Sequence, residues 1–498
     1  MDNFVLGILT IAVSALLLFF AWRAYTVKNN ASVAILLILL CGFLLRLYVA
    51  GDFYLHDWDE RYHAVVAKNL MDHPLKPTLY DEPVLPYDYR EWSANHIWLH
   101  KQPVPLWSMA LSLFFFGTNE IALRLPSILL STLAIFLTFK IATLLFGKKT
   151  GLIAAFLHAI HGLIIEITGG RVATDHIDLF FLFFIELAVY FALLHSRKKE
   201  DWKLLILIGL SIGLAILSKW LPALIVLPIW LLFNNLFKSK PIGKVIGDFF
   251  IVLFVIAIII LPWQIYIYSN FPLEANWESS HQVKHIFEGL DGNGQPFYYH
   301  FDKLRVLFGE LIYLPLLWWF WMSFKKVIKK QNYNWLAITV WVLMPLLFFS
   351  FVETKMQAYL LFTAPAIFII TAVFFRYLNF IKPNFKKAKP IVSLIAILLL
   401  LLPVRYSIER IKPFSSRERS PQWVADLKAL NKIFEGEEKV VVFNLEKPIA
   451  AMFYCDNVIA YSVMPDEEML TMVFEKGYSS YVIKETGEVA LLKKATGK

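Results

Sequence analysis

Residues 56–70, HDWDERYHAVVAKNL, place His56, Asp57, Asp59, Glu60, Arg61, His63 and Lys68 in one short stretch, directly behind an apolar run long enough to cross a bilayer. A carboxylate at such a junction meets water on one side and the headgroup layer on the other. Asp57, Asp59 and Glu60 are therefore candidates for proton transfer or charge stabilisation. Asp59 also suits the plain role of N-cap for the helix that follows. The stretch GGRVATDHIDLFF, 169–181, repeats the arrangement at another span junction. There Asp175 stands at the start of a helix expected over 176–195, and Thr174 with Asp178 offers the alternative of a capping box. Two carboxylate and arginine pairs, Asp59 with Arg61 and Asp175 with Arg171, thus fall at helix ends on one membrane face. Helix ends gathered on one face are how bundles build sites. Lys101 in WLHKQPVPLW, Lys219 in LSKWLPAL and Lys355 in FVETKMQAYL join them, near Trp98, Trp220 and Tyr359. Snorkelling to lipid phosphates accounts for any one of these lysines. Three beside two carboxylates point to a site for an anionic phosphate.

Membrane spans must position these residues. The 498 residues are 58% hydrophobic, with 43 Phe, 16 Trp and a mean hydropathy of +0.58, far above a soluble domain. A spanning helix needs roughly 20 apolar residues. Twelve candidates run at about 4–22, 32–50, 121–146, 151–168, 176–195, 203–219, 221–237, 246–268, 303–324, 334–352, 358–380 and 390–403. The first lacks a small-residue cleavage site and a second span follows at once, so it reads as a retained helix rather than a signal peptide.

Charge orients the spans, because short loops rich in Lys and Arg stay cytoplasmic. Alternate loops carry 20 basic residues against only Glu200 and Asp201, which makes that set cytoplasmic. The opposite set holds the 51–103 segment, with nine acids against five Lys and Arg. The net charge of +9 is therefore a topology signal and calls for no nucleic-acid partner. The two cysteines, Cys41 in a span and Cys455 near the chain end, are not expected to meet.

The first external segment, 51–120, is too long to be a bare connector and is expected to fold. Tyr62, Val65, Val66 and Leu70 at helical spacing suggest an amphipathic helix lying along the interface. PVPLWSMALSLFFF, 103–116, is apolar but short, as a second interfacial or half-inserted helix would be. Beyond residue 403 the spans stop. Ser420 reads as N-cap with Pro421 at the first helical position, KVVVF at 439–443 as a buried strand, 465–476 as a helix and YVIK at 481–484 as a strand. The expected organisation is an all-α polytopic membrane domain over 1–403 and a small α/β domain over 404–498, placed outside by the helix count. Within the spans, Glu186 and Glu310 should face protein, and His158 with His161 reads as packing rather than a metal pair.

These residues resemble the polytopic GT-C glycosyltransferases related to protein O-mannosyltransferases and to the aminoarabinose transferase that modifies lipid A, over roughly 40–380. DWDERYHAVVAKNL looks like the first-loop signature of that family. HKQPVPLW resembles its Lys/His-Pro-Pro-Leu element, and FGTNEIALRLPSILL, GGRVATDHIDLFF, GLAILSKW and FFSFVETKMQAYLLFTAPA resemble the elements that follow, in the same order. The resemblance implies a polyprenyl-phosphate sugar as donor and a lipid, glycan or protein as acceptor, in the bacterial inner (plasma) membrane with the site on the extracytoplasmic side. It implies Asp59 as catalytic aspartate with Asp175, Asp57 and Glu60 beside it. Arg61, Tyr62, Lys101, Arg171, Lys219, Lys355 and Tyr359 would then contact substrate. Relatives that bind a divalent metal ion place Glu or His before the lysine, matched by His100. Their second ligand falls at Asn293, with His281 or His285 available as substitutes.

The chemistry expected is attack by an acceptor hydroxyl or phosphate at the anomeric carbon, with inversion and with polyprenyl phosphate as leaving group. The alternative is a transporter or flippase of lipid-linked sugars. Transporters place polar groups near the bilayer midplane, whereas these clusters lie at the ends of the spans.

Overall fold

The computed structural model describes residues 3–173, 176–198, 201–233, 241–328, 333–381 and 388–495. Helices α1 (Asn3–Thr26) and α2 (Ala31–Ala50) lead into the first loop, which contains α3 (Asp59–Asp72) and α4 (Pro103–Phe116). The bundle continues with α5 (Glu120–Phe146), α6 (Lys148–Ala159), α7 (Gly162–Thr168), α8 (Ile177–Arg197), α9 (Trp202–Lys219) and α10 (Val226–Phe233). It is completed by α11 (Ile242–Asn270), α12 (Pro272–Phe287), α13 (Tyr299–Phe308), α14 (Tyr313–Ile328), α15 (Tyr333–Phe351), α16 (Ala364–Ile381) and α17 (Lys389–Ile411).

Among the described residues nine helices are long and apolar enough to cross a membrane, or eleven counting two bent pairs, against the twelve spans expected. The run 151–168 is broken: α6 and α7 meet at 51°, where Ile160 closes one helix and His161 caps the next, its Nδ1 accepting from the Ile164 amide. The run 303–324 turns by 116° between α13 and the segment after Gly309. Gly309 sits at φ +96, a left-handed backbone that glycine adopts without steric cost. Residues 221–233 form a 3-10 turn and the short α10, and the rest of the expected 221–237 span lies outside the described residues. The last span extends past residue 403 to Ile411, carrying helix eight residues beyond the expected domain boundary.

The C-terminal part contains α18 (Gln422–Ile433), β1 (Val440–Phe443), α19 (Pro448–Tyr454), β2 (Val458–Ala460), α20 (Glu467–Glu475), β3 (Ser479–Ile483) and β4 (Val489–Lys493). Its sheet has the order β2-β1-β3-β4, with β1 parallel to both neighbours and β4 antiparallel at the edge. All four β1 residues are buried, as the β-branched run predicts for a central strand. Pro421 takes the N-cap position of α18, one residue later than expected, and Ser420 makes no cap bond.

One apolar core fills the helix bundle. A second joins α3 and α4 to α18, α19 and β1. Helix α3 is therefore not a surface helix at the interface. Tyr62, His63, Val65, Val66 and Leu70 are buried between α4 and the C-terminal domain. Lys68 fixes that contact by donating to the carbonyls of Met452, Phe453 and Cys455 at 3.0, 3.2 and 2.7 Å. Helix α4 is a short apolar helix with Leu111 and Phe114–Phe116 exposed.

Candidate active site

Asp59 is the first residue of α3, Trp58 occupies the N-cap position, and no side-chain cap bond forms. The carboxylate instead lies 3.2 Å from the Lys101 ammonium, both side chains partly exposed at 17% and 21%. Burial disfavours ionisation of Asp59, but Lys101, His63 and His100 outweigh it and hold the carboxyl well below the usual range. Beneath it His63 is wholly buried, and burial pushes its imidazole down to about 4.

Next to Lys101 in sequence, His100 stacks on Trp92 at 4.9 Å and sets Nδ1 3.5 Å from Glu278 Oε1 of α12. One and two turns further along α12 stand His281 and His285. Their ring nitrogens and the carboxylate of Asp291, on the 3-10 turn Leu290–Gly292, lie within 4.8 Å of one another. His281 Nε2 and His285 Nδ1 are buried and make no hydrogen bond. Two imidazoles and a carboxylate form a donor set that suits a divalent ion such as zinc, so the residues present fit the metal that the resemblance implies. His281, His285 and Asp291 would hold it, whereas His100 pairs with Glu278 and lies outside this group.

The loop bearing Asp291 is pinned by backbone hydrogen bonds from Glu353, Thr354 and Lys355 to the carbonyls of Ile286, His285 and Asn293. Lys355 is buried, and its Nζ donates to the Gln295 carbonyl at 2.7 Å. On the other side Lys219, closing α9, pairs with Asp178 of α8 and sits 5.0 Å over the Tyr359 ring. Asp59, Asp178 and Asp291 all act electrostatically on the Tyr359 hydroxyl. The structure thus brings Asp59, Lys101, Lys219, Tyr359 and the His281, His285, Asp291 group around one centre, with Lys355 beside it.

Several expected residues have other partners. Arg61 does not pair with Asp59; it points to Asp57 at 3.9 Å and donates to the Tyr62 hydroxyl at 3.2 Å. Tyr62 is buried against Trp92, in the wall behind His100. Asp57 is 66% exposed and reaches Lys447 of the C-terminal domain at 3.0 Å. Glu60 is fully buried, its oxygens held by Arg124 Nε and Nη2 at 2.6 and 2.9 Å and by the His56 amide and ring. No oxygen remains open to a substrate, so Glu60 is a brace rather than a catalytic group. Arg171, only 3% exposed, grips Asp52 at 2.9 Å and the Ile411 carbonyl at 2.8 Å, which places it in a buried tie and not in the substrate space. Asp175 and Thr174 lie outside the described residues.

Sequence reasoning missed the frame around the site. Asp52, with no exposed surface, gathers Arg171, Arg417, Arg419 and His56 within 3.5 Å. Arg124 donates to the carbonyls of Ala50, Asp52 and Tyr54 besides Glu60. The ion pair of Asp178 with Lys219 was also unseen. The spacing Glu278, His281, His285 on an amphipathic helix was the available signal for the metal group.

The helical bundle, its folded first loop and the small domain docked on that loop have the GT-C fold. ArnT from Cupriavidus metallidurans bound to undecaprenyl phosphate superposes with a TM-score of 0.62 at 14% identity, covering 91% of this chain and 93% of that one. AglB from Archaeoglobus fulgidus, in complex with an inhibitory peptide and a dolichol-phosphate, gives 0.59 at 14% identity, over 92% and 74%. In sequence, residues 100–266 match the family described as Dolichyl-phosphate-mannose-protein mannosyltransferase. The undecaprenyl phosphate-alpha-4-amino-4-deoxy-L-arabinose arabinosyl transferase 2 of Pseudomonas fluorescens is 27% identical over 286 residues, 54% of this chain and 49% of that protein. An uncharacterized protein of Aquifex aeolicus is 29% identical over 343 residues, 68% and 63%. The chain spans about half the length of the arabinosyl transferases it matches. It is a multi-span membrane protein with the fold of ArnT and AglB and with partial sequence similarity to the arabinosyl transferases.

Proposed function

We propose that this protein transfers a sugar from a polyprenyl-phosphate donor to an acceptor on the extracytoplasmic face of the bacterial inner membrane, with inversion at the anomeric carbon. The observation that carries the reading is the partly exposed Asp59 and Lys101 pair, 3.2 Å apart at the end of the spans. The sidedness rests on loop charge: the loops at the other end of the spans hold the basic excess.

The leaving polyprenyl phosphate develops negative charge on its oxygens. Lys101 and Lys219 offer cationic groups there, in a space partly shielded from water where such groups act strongly. Asp59 is a carboxylate throughout the physiological range and, while paired with Lys101, a weak base. Its first task is to orient the acceptor. A donor phosphate that draws Lys101 toward itself leaves Asp59 less stabilised as an anion and so a stronger base toward an acceptor hydroxyl. Proton acceptance is thereby coupled to donor binding. An acceptor that is already ionised, such as a phosphate, requires only the orienting role.

His281, His285 and Asp291 would hold one divalent ion, which when bound adds positive charge beside the donor phosphate. Asp57, two residues before Asp59 and paired with Lys447 of the C-terminal domain, is offered as the acceptor side. The deciding experiment gives purified protein in lipid a labelled polyprenyl-phosphate sugar and a mixture of envelope lipid, glycan and protein acceptors. Transfer of label that Asp59→Asn abolishes supports the reading. Equilibrium binding or transbilayer movement of intact donor, with no transfer to any acceptor, refutes it.

A further inference from the structure

At the ends of α2 and α5 far from Asp59, the two helices part over a cleft of about 850 Å³. Helix α2 has 20 residues, so at 1.5 Å per residue the cleft lies about 30 Å from the active-site end, one hydrocarbon thickness away. Its floor is apolar, built by Ile35, Leu36 and Leu39 of α2 with Phe136 and Phe139 of α5. Its rim is cationic, with Lys28 from the α1–α2 turn, Lys140 near the end of α5 and Lys148 at the start of α6. No acidic residue lines it. Lys140 is held over the floor, its Nζ 5.7 Å from the Phe136 ring.

One further feature points to an anion. Ala31 and Ser32, the first residues of α2, also line the cleft. The Asn30 cap accepts from Val33, so the amides of Ala31 and Ser32 remain at the positive end of the helix. We propose that this cleft binds one anionic glycerophospholipid of the surrounding leaflet, its phosphate among Lys28, Lys140 and Lys148 and an acyl chain along the apolar floor. Charge complementarity selects the headgroup, and the open lipid-facing floor selects a ligand that is already in the bilayer. The site is separate from the donor site, because a phosphate held at Lys101 is a membrane thickness away.

The test is native mass spectrometry of the full chain released from nanodiscs of equal phosphatidylcholine and phosphatidylglycerol. Wild type should retain phosphatidylglycerol over phosphatidylcholine by about tenfold or more, from three lysines at the surface. Lys28→Gln, at an exposed residue, should lower the preference about threefold, and Lys28→Gln/Lys140→Gln/Lys148→Gln should bring it close to parity. Lys325→Gln/Lys326→Gln, at the end of α14, should leave it intact. Parity in wild type, an unchanged preference in the triple variant, or an equal loss in the Lys325 and Lys326 control overturns the proposal. Displacement of phosphatidylglycerol by undecaprenyl phosphate at equal concentration also overturns it, by assigning the cleft to a polyprenyl lipid.

Discussion

The Asp59 carboxylate and the Lys101 ammonium, 3.2 Å apart, come from two segments of the folded first loop, the start of α3 and the approach to α4. Asp59 begins a buried helix, and Lys101 precedes the Gln102 cap of α4. Because α3 packs on α4 through a shared core, their separation is set by helix packing and not by two flexible side chains finding each other. Asp59→Asn keeps the shape and removes the charge. Turnover should fall by about 10²- to 10⁴-fold, while the melting temperature in lipid stays close to wild type. Lys101→Gln should weaken donor binding more than Asp59→Asn does, measured as the concentration of donor giving half-maximal rate. Equal effects of both variants on that concentration would separate Lys101 from the donor phosphate.

Acid should destabilise the first loop in two stages. The His63 imidazole falls from 6.5 to about 4 because it is wholly buried. Above pH 6.5 it is neutral in both folded and unfolded chains and contributes no pH dependence. Between 6.5 and 4 the unfolded chain takes up a proton that the folded one refuses, so stability falls as pH falls, by roughly 3 kcal/mol across the window. Asp52, Asp59 and Glu60 are depressed carboxyls, all burdened by burial and rescued by their cationic partners. Their contribution is present above the unfolded carboxyl value near 4 and is lost below it. Thermal melts of His63→Gln at a series of pH values should show a shallower slope from 6.5 to 4 and an unchanged collapse below 4. An unchanged slope in the upper window would locate the sensitive group elsewhere.

Much of the site was legible because local chemistry marks it. Charged residues at the ends of apolar runs placed Asp59, Lys101, Lys219 and Tyr359, and helical spacing gave the start of α3. The buried frame was not legible. Asp52 is held by arginines 119 or more positions away, and nothing in the GDFY stretch distinguishes it from an ordinary loop acid. Arg61 was matched to the wrong acid, and the Asp52 partner of Arg171 went unseen, for the same reason: adjacency in sequence stood in for geometry. Two of the expected spans are bent where one glycine or one capping histidine interrupts a continuous apolar run, at Gly309 and His161. Apolar length shows what a segment can cross, and the backbone at single positions decides whether it does so straight.

Gly170 is the point where the two aspartate-bearing elements press together. Its φ is +69, and a Cβ there would meet the Cδ and Oε1 atoms of Glu60 at 2.3 Å. Gly170→Ala must therefore strain its own backbone and displace Glu60 from Arg124. Breaking a buried ion pair typically costs about 3–5 kcal/mol, so the variant should melt far below wild type and lose activity with its fold. Glu60→Gln leaves the Arg124 charge buried without its counter-ion and should fall in the same range. A Gly170→Ala protein with wild-type melting would show that the Glu60 brace relaxes without cost.

The two unsatisfied nitrogens on α12 make the strongest case for a bound ion. An imidazole nitrogen buried without a partner is costly, and His281 Nε2 and His285 Nδ1 bear that cost, while one ring nitrogen of each histidine and a carboxylate oxygen of Asp291 lie within 4.8 Å of one another. A divalent ion among them would give these imidazoles a partner. Burial and then the neighbouring His281 lower the His285 imidazole, which keeps its nitrogen unprotonated and ready to ligate at neutral pH. Protein purified without chelator should carry about one equivalent of divalent metal by elemental analysis. His281→Ala and His285→Ala should each reduce that content at least tenfold, whereas His100→Ala, at a residue engaged with Glu278, should leave it unchanged. The readout is independent of turnover, so it tests the ligand set directly. Metal content that follows His100 and not His281 would return the ion to the first loop and leave the α12 imidazoles without a role.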